Sequence, residues 1–265
     1  MFGGVFGPRG LCCVDGSPVV VEGGGVKRNR RLRPPVPAPW AFAGFRFPPD
    51  VILLAVRWYL RYGLSYRDLE ELLSERGLEV DHVTLFRWVR RITPLLIDAA
   101  RPSRHAVGDR WFVDETYVKV NGVWRYVYRA VDQHGQVIDV FVSPRRDITS
   151  VRRFFITALA AHRAPKEVTT DRARALANVI EELIPAVFHN TGQYENTRCE
   201  WDHGRLKARL RPMWGGGVKT DRTASVVIRG HAFVQNLRRG HYELGVEVPP
   251  VFRLATAFYE LRFAI

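Results

Sequence analysis

Cysteine is scarce in this chain of 265 residues, and the three present, Cys12, Cys13 and Cys199, suit neither an even disulfide framework nor a metal-ligand spacing. They read as reduced thiols. The eight histidines include no paired zinc spacing such as His-Glu-x-x-His. Long apolar runs are also missing: no stretch of about 18 apolar residues is available to span a bilayer. The N-terminus lacks the compact basic-then-apolar layout of a secretory leader, so an intracellular protein is expected. Acidic residues are outnumbered, 27 against 40 Lys and Arg, leaving a formal charge of +13. That excess points to a polyanionic partner, because neutralising phosphates releases counterions, and nucleic acid fits better than a membrane. Hydrophobic residues make up 46% of the chain, enough for one sizeable domain and a smaller one.

Residues 1–45 are rich in Gly, Pro and Arg and carry a basic cluster from Lys27 to Arg33 followed by a proline run. Without periodicity they read as a disordered basic tail, a DNA-binding arm being the alternative. Pro49 then opens a helix over 51–62 that ends at Gly63. Ser65 with Asp68 forms a capping box for a second helix, in which Leu69, Leu72 and Leu73 recur at helical spacing and Gly77 is the stop. After a short turn at 78–80, a third helix starts near Asp81. It carries Thr84, Arg87, Arg90 and Arg91 outward, with Val83, Phe86 and Val89 facing in. Three helices with a tight turn between the last two make a helix-turn-helix over 46–100, and those four outward residues are the expected DNA contacts. The rival reading is a plain helical bundle.

A linker over 98–110 leads into a different grammar. Residues 111–120 are rich in aromatic and β-branched types, Asn121-Gly122 is a strong hairpin signal, and a second strand follows over 123–131. Gln133-His134-Gly135 turns into a third strand over 136–142. A helix over 149–162, a strand over 167–170, a helix over 173–183, a strand over 186–188 and a last helix complete the order βββαβαβα. Beyond it, Gly215-Gly216-Gly217 reads as a flexible turn, and 226–239 as a helix with Arg229, Arg238 and Arg239 outward.

Period-two alternation sets Phe112, Asp114, Thr116 and Val118 on one face of the first strand, where a buried Asp is costly unless something positive meets it. Asp171 stands at the C-terminal end of another strand, the place where ligands gather in open α/β sheets. Glu200 arrives on the last helix, whose His203 and Lys207 share its face. Three acids from three elements suit hard cations, and two Mg²⁺ about 4 Å apart would activate an attacking oxygen and stabilise a leaving one. Mn²⁺ would serve as a substitute. Asp109, Glu115, Asp132 and Asp139 have less isolated settings and read as surface or supporting groups. His203 is a candidate for phosphate contact or for support of the acids.

Trp111-Phe112-Val113-Asp114-Glu115-Thr116-Tyr117-Val118-Lys119-Val120, Thr169-Thr170-Asp171 and Glu200-Trp201-Asp202-His203-Gly204-Arg205-Leu206-Lys207 with Arg211-Pro212-Met213 closely resemble the DDE transposases of bacterial insertion-sequence family six. The resemblance runs from about Phe45 to Gly245. It implies an α/β, RNase H-like mixed sheet over 101–240, preceded by the helix-turn-helix and followed by a tail over 241–265. It implies Mg²⁺-dependent cutting and joining of double-stranded DNA, the element's terminal inverted repeats and its target, by a homodimer or higher synaptic assembly in the cytoplasm at the nucleoid. The triad, which is also the metal-ligand set, falls on Asp114, Asp171 and Glu200. Lys207 matches a basic residue near the scissile phosphate, and His203, Arg205, Arg209 and Arg211 are the expected DNA contacts around it. Two departures stand out: Asn196 occupies a position where many relatives have Arg, and only 29 positions separate Asp171 from Glu200. A DNA-binding remnant without chemistry and a nuclease that cuts without joining are the rival functions.

Overall fold

The computed structural model of the chain describes residues 40–171, 173–192, 196–211 and 219–265, with the backbone alone at 197 and 198. The basic segment 1–39, loop residues 193–195 and the glycine turn at 215–217 lie outside the described residues. Three helices come first: α1 (Pro49–Arg61), α2 (Tyr66–Ser74) and α3 (His82–Ala100). Ser65 and Asp68 form both halves of the capping box at α2, and the Asp81 carboxylate accepts from the amides of Val83 and Thr84 at α3. Such caps contribute about 1 kcal/mol each.

The inward stripe of α3 differs from the expected one. Leu85, Trp88, Val89, Ile92 and Leu96 are buried, whereas Val83 is 44% exposed. Asp81 caps the helix here, so Val83 falls in the first turn, beside the cap rather than over the core. The helix also continues through Pro94 into the expected linker. Pro94 leaves the carbonyl of Arg90 without its helical donor, but Arg90 is exposed and water can serve that oxygen.

The sheet contains β1 (Arg110–Val120), β2 (Val123–Asp132), β3 (Val137–Ser143), β4 (Glu167–Thr169) and β5 (Phe188–Asn190), in the order β3-β2-β1-β4-β5. The first three pair antiparallel, and β4 and β5 run parallel to β1. This is the RNase H-like arrangement. Positive φ at Asn121 (49°) and Gly122 (78°) makes the tight turn that lets β1 and β2 pair along their whole length. Strand β5 lies two residues later than expected, because its parallel pairing aligns Phe188 with Glu167 and brings Asn190, not Ala186, into register.

Alternation along β1 divides the interior in two. Trp111 and Val113 pack with Tyr128, Phe154 and Val179 beneath α4 (Ile148–Ala161) and α5 (Arg174–Leu183). Phe112, Val118 and Val120 face the other way, into a core shared with α1–α3, α6 (Thr197–Leu210), α7 (Asp221–Arg239) and α8 (Pro250–Leu261). The last helix stands where the sequence predicts only a tail: Leu254, Ala257, Phe258 and Leu261 are buried at helical spacing. Each large apolar side chain so buried contributes about 1.5–3 kcal/mol. The helical layer and the sheet belong to one compact unit, Ala38–Ile265.

Candidate active site

Asp114 sits mid-strand on β1, its side chain 16% exposed, with its Oδ1 accepting from the amide of Glu115 at 2.8 Å. The parallel register of β1 with β4 ends at Phe112 opposite Thr169. Two residues beyond that pair stand Asp114, midway along β1, and Asp171, just past the C-terminal end of β4. Asp171 is exposed, and its Oδ1 accepts from the amide of Ala173 at 3.1 Å. Charge on these two acids is felt on the opposite sheet face. Burial pushes the Glu115 carboxyl up, Arg146 pulls it down, and the carboxylates of Asp171 and Asp114 push it up again.

Helix α6 lies across β1 and β2. Its entry is tethered by Asn196, whose side-chain amide donates to the carbonyl of Val113 at 3.0 Å, one residue before Asp114. Cys199, Asp202, His203 and Leu206 form the buried face. Glu200 falls on the exposed side of the first turn and Lys207 on a half-buried flank, with its ammonium 4.8 Å from the centre of the Tyr117 ring.

His203 therefore turns inward rather than sharing an open face with Glu200. Its Nδ1 lies 3.4 Å from Asp114 Oδ2, and it is 5% exposed, so it supports the acid instead of presenting to a phosphate. Arg209 is also buried. Its guanidinium donates to the carbonyl of Tyr59 and stacks over that ring at 4.7 Å, which removes it from the expected DNA contacts and uses it to lock α6 onto α1. Arg205 and Arg211 are exposed, Arg205 lying over the Trp201 ring at 3.8 Å. On α3, Arg87, Arg90 and Arg91 are exposed; Arg91 lies over the Phe45 ring, and the Thr84 hydroxyl donates to Asp81 at 2.6 Å within the cap.

Beside Asp114, on the same face of the sheet, lies an ion cluster that no sequence signal announces. Arg129 is opposite Asp114 across the β1–β2 pair and fully buried; it pairs with Asp202 and donates to Gln235 at 2.6 Å. Arg239, expected outward, also reaches Asp202, at 2.6 Å. Burial works against the Asp202 carboxylate, but the two guanidinium groups outweigh it and hold its pKa below the ordinary value. The cluster fixes α6 and α7 to the sheet next to Asp114, and removing either partner of such a buried pair costs about 3–5 kcal/mol. Asp132, expected as a surface or supporting group, is buried and organises the β2–β3 turn by accepting from His134 and Gln136.

Among the described residues, the donor atoms that come within 4.8 Å of one another belong to Asp114, Cys199 and His203. Asp171 and Glu200 stand outside that tight group. Cysteines and histidines show no ligand spacing when each type is paired only with itself; the signal that points to Cys199 is the mixed Cys-x-x-x-His spacing.

A DDE-domain family model, of the IS240 transposase type, matches residues 108–241. A transposase for the insertion sequence-like element IS431mec of Staphylococcus aureus is 37% identical over 169 residues, covering 62% of this chain and 75% of that protein. The transposase of IS257 in transposon Tn4003, also from Staphylococcus aureus, matches to the same extent. Two solved structures are more distant. The magnesium complex of the HTLV-2 integrase catalytic core (trimeric form) is 14% identical with a TM-score of 0.39, over 58% of this chain and 99% of that one. A chain of a simian T-cell lymphotropic virus intasome bound to a PP2A regulatory subunit is 17% identical with a TM-score of 0.41, over 57% of this chain and 56% of that one.

Proposed function

The chain belongs to the DDE transposases of insertion-sequence family six, enzymes of DNA strand cleavage and transfer, and from that premise we propose the division of labour among its residues. Asp114, Asp171 and Glu200 are the catalytic acids, acting on the terminal inverted repeats of a mobile element and on target DNA. The observation that supports this reading is that Asp171 follows β4, the parallel neighbour of β1, while Asn196 ties the start of α6, the helix of Glu200, to the strand residue before Asp114.

The donor set suits a hard divalent cation: three carboxylates from separate elements, two of them solvent-facing and one at the margin of the core. Asp114, Asp171 and Glu200 would hold Mg²⁺, with Mn²⁺ as a substitute, and a bound pair would supply charge stabilisation to the attacking and leaving oxygens. His203 fixes one oxygen of Asp114, the Glu115 amide fixes the other, and Asn196 sets the height of α6 over the strand. Lys207, two turns beyond Glu200, offers its ammonium to the scissile phosphate. The exposed guanidiniums of α3, with Arg205 and Arg211 on and just beyond α6, hold the DNA backbone and read the ends. Two ends must be held together for joining, so a homodimer or higher assembly works on them at the nucleoid. No helix among the described residues is long and apolar enough to cross a membrane.

The test is a strand-cleavage and joining assay on DNA carrying the element's ends, with Mg²⁺, comparing the natural protein with Asp171→Asn. Joining should fall at least about a hundred-fold while DNA binding persists. Equal joining by both proteins would remove Asp171 from the triad. Metal-dependent cutting without joining would identify a nuclease, and binding without chemistry in either protein would leave a DNA-binding remnant.

A further inference from the structure

Cys199 and His203 are four residues apart on α6, a spacing that puts thiol and imidazole on one helical face. Asp114 meets that face from β1. His203 Nδ1 is 3.4 Å from Asp114 Oδ2, Cys199 Sγ is 3.8 Å from His203 Nε2, and one donor atom from each residue falls within 4.8 Å of the others. Sulfur, imidazole nitrogen and carboxylate together form a borderline-soft set, which favours zinc over magnesium and matches the three-ligand sites in which zinc keeps a fourth position for water.

We propose that Asp114, Cys199 and His203 form a site for Zn²⁺, or a like soft divalent ion, separate in chemistry from the all-carboxylate site. A single imidazole nitrogen serves the ion, with one carboxylate oxygen and the sulfur. Binding breaks the S–H bond of Cys199, whose proton leaves to the buffer, and forms the metal–sulfur bond; no oxidation state changes. The thiol now donates to the carbonyl of Arg129 at 3.6 Å; burial, Asp114 and Asp202 hold it protonated against the pull of the Arg129 guanidinium, so it is the metal–sulfur bond that must offset loss of the proton. Because Asp114 is shared, an ion in this site withdraws the carboxylate from the triad. Zn²⁺ then inhibits strand joining, and a chelator restores it. This consequence rests on the transposase reading, whereas binding of the ion does not.

The experiment uses the full chain with Cys12→Ser and Cys13→Ser, so that Cys199 is its one thiol. Titration with Co²⁺ should produce a thiolate-to-cobalt charge-transfer band and the visible bands of tetrahedral cobalt, saturating at one ion per chain and displaced by Zn²⁺. Cys199→Ser should abolish the charge-transfer band, and His203→Gln and Asp114→Asn should each weaken affinity at least about tenfold. A folded protein, checked by circular dichroism, that gives no such band would overturn the site. So would a band of undiminished affinity in both the His203 and Asp114 variants. If the band appears but no preparation joins DNA with Mg²⁺, the transposase reading fails and the zinc site stands.

Discussion

His231, in the middle of α7, is 8% exposed and kept neutral there. Burial is the leading cause, the guanidinium groups of Arg129 and Arg209 add to it, Asp202 opposes, and the pKa is lowered to about 3. An unfolded chain would bind a proton at an ordinary histidine pKa of about 6.5, so between those values the unfolded state holds more protons and stability rises with pH. Acidification from pH 7 to pH 5 should therefore cost about 2 kcal/mol at this residue. His162, half-buried and lowered to about 4 mainly by burial and then by Arg104, acts in the same direction. Melting temperature followed against pH should fall less steeply over this range in His231→Phe, and an unchanged slope would show that His231 is not the group being titrated. The same buried cluster explains which residues are legible in the sequence. Asp114 and Asp171 announce themselves as acids in or after apolar strands, but nothing local in Arg209 or Arg239 says that a carbonyl on α1 or a carboxylate on α6 will claim the guanidinium.

The helices of the N-terminal layer are readable because their ends carry chemistry: the Ser65–Asp68 box and the Asp81 cap are local and form as expected. Their faces are less readable, since an error of one or two residues in phase exchanges Val83 for Leu85, and the continuation past Pro94 depends on tertiary packing of Leu96 and Ala100. Helix α8 escapes sequence reading although its buried residues follow helical spacing, because a short terminal segment has little weight until α7 offers a face to cover it. On α3 the outcome leaves Arg87 and Arg90 exposed on a helix whose opposite side is core. Replacing both with alanine should leave the melting temperature nearly unchanged. It should weaken binding to the element's ends and reduce the slope of log affinity against log salt by about one for each phosphate left without its cation. Fluorescence anisotropy across a salt series measures both, and an unaltered slope with unaltered affinity would move the DNA-reading surface off this helix.

Across the molecule, α7 is the element that joins the N-terminal helices to the sheet. It packs against α1 and α3 on one side and β3 on the other, and the side chain of Asn236 takes up both the amide and the carbonyl of Val137 on the strand. The division into a helix-turn-helix and a catalytic domain, natural from the change in sequence texture near residue 110, does not correspond to two separate cores: Leu60, Ile92, Ile228 and Val131 belong to one. Gly230 is a close approach in that joint. A Cβ there would lie 2.7 Å from Leu60 Cδ2 and 2.7 Å from Thr93 Cγ2, on two different helices of the first layer. Gly230→Ala should cost about 1–3 kcal/mol by overpacking, less up to about 1 kcal/mol returned by better helix propensity. If the layers were independent, hydrogen exchange would quicken in α1 and α3 while β1–β3 kept their protection. With a shared core, amides of both layers should lose protection by the same increment and melt in one transition, because the strain on α7 is relieved only when the helices and the sheet come apart together.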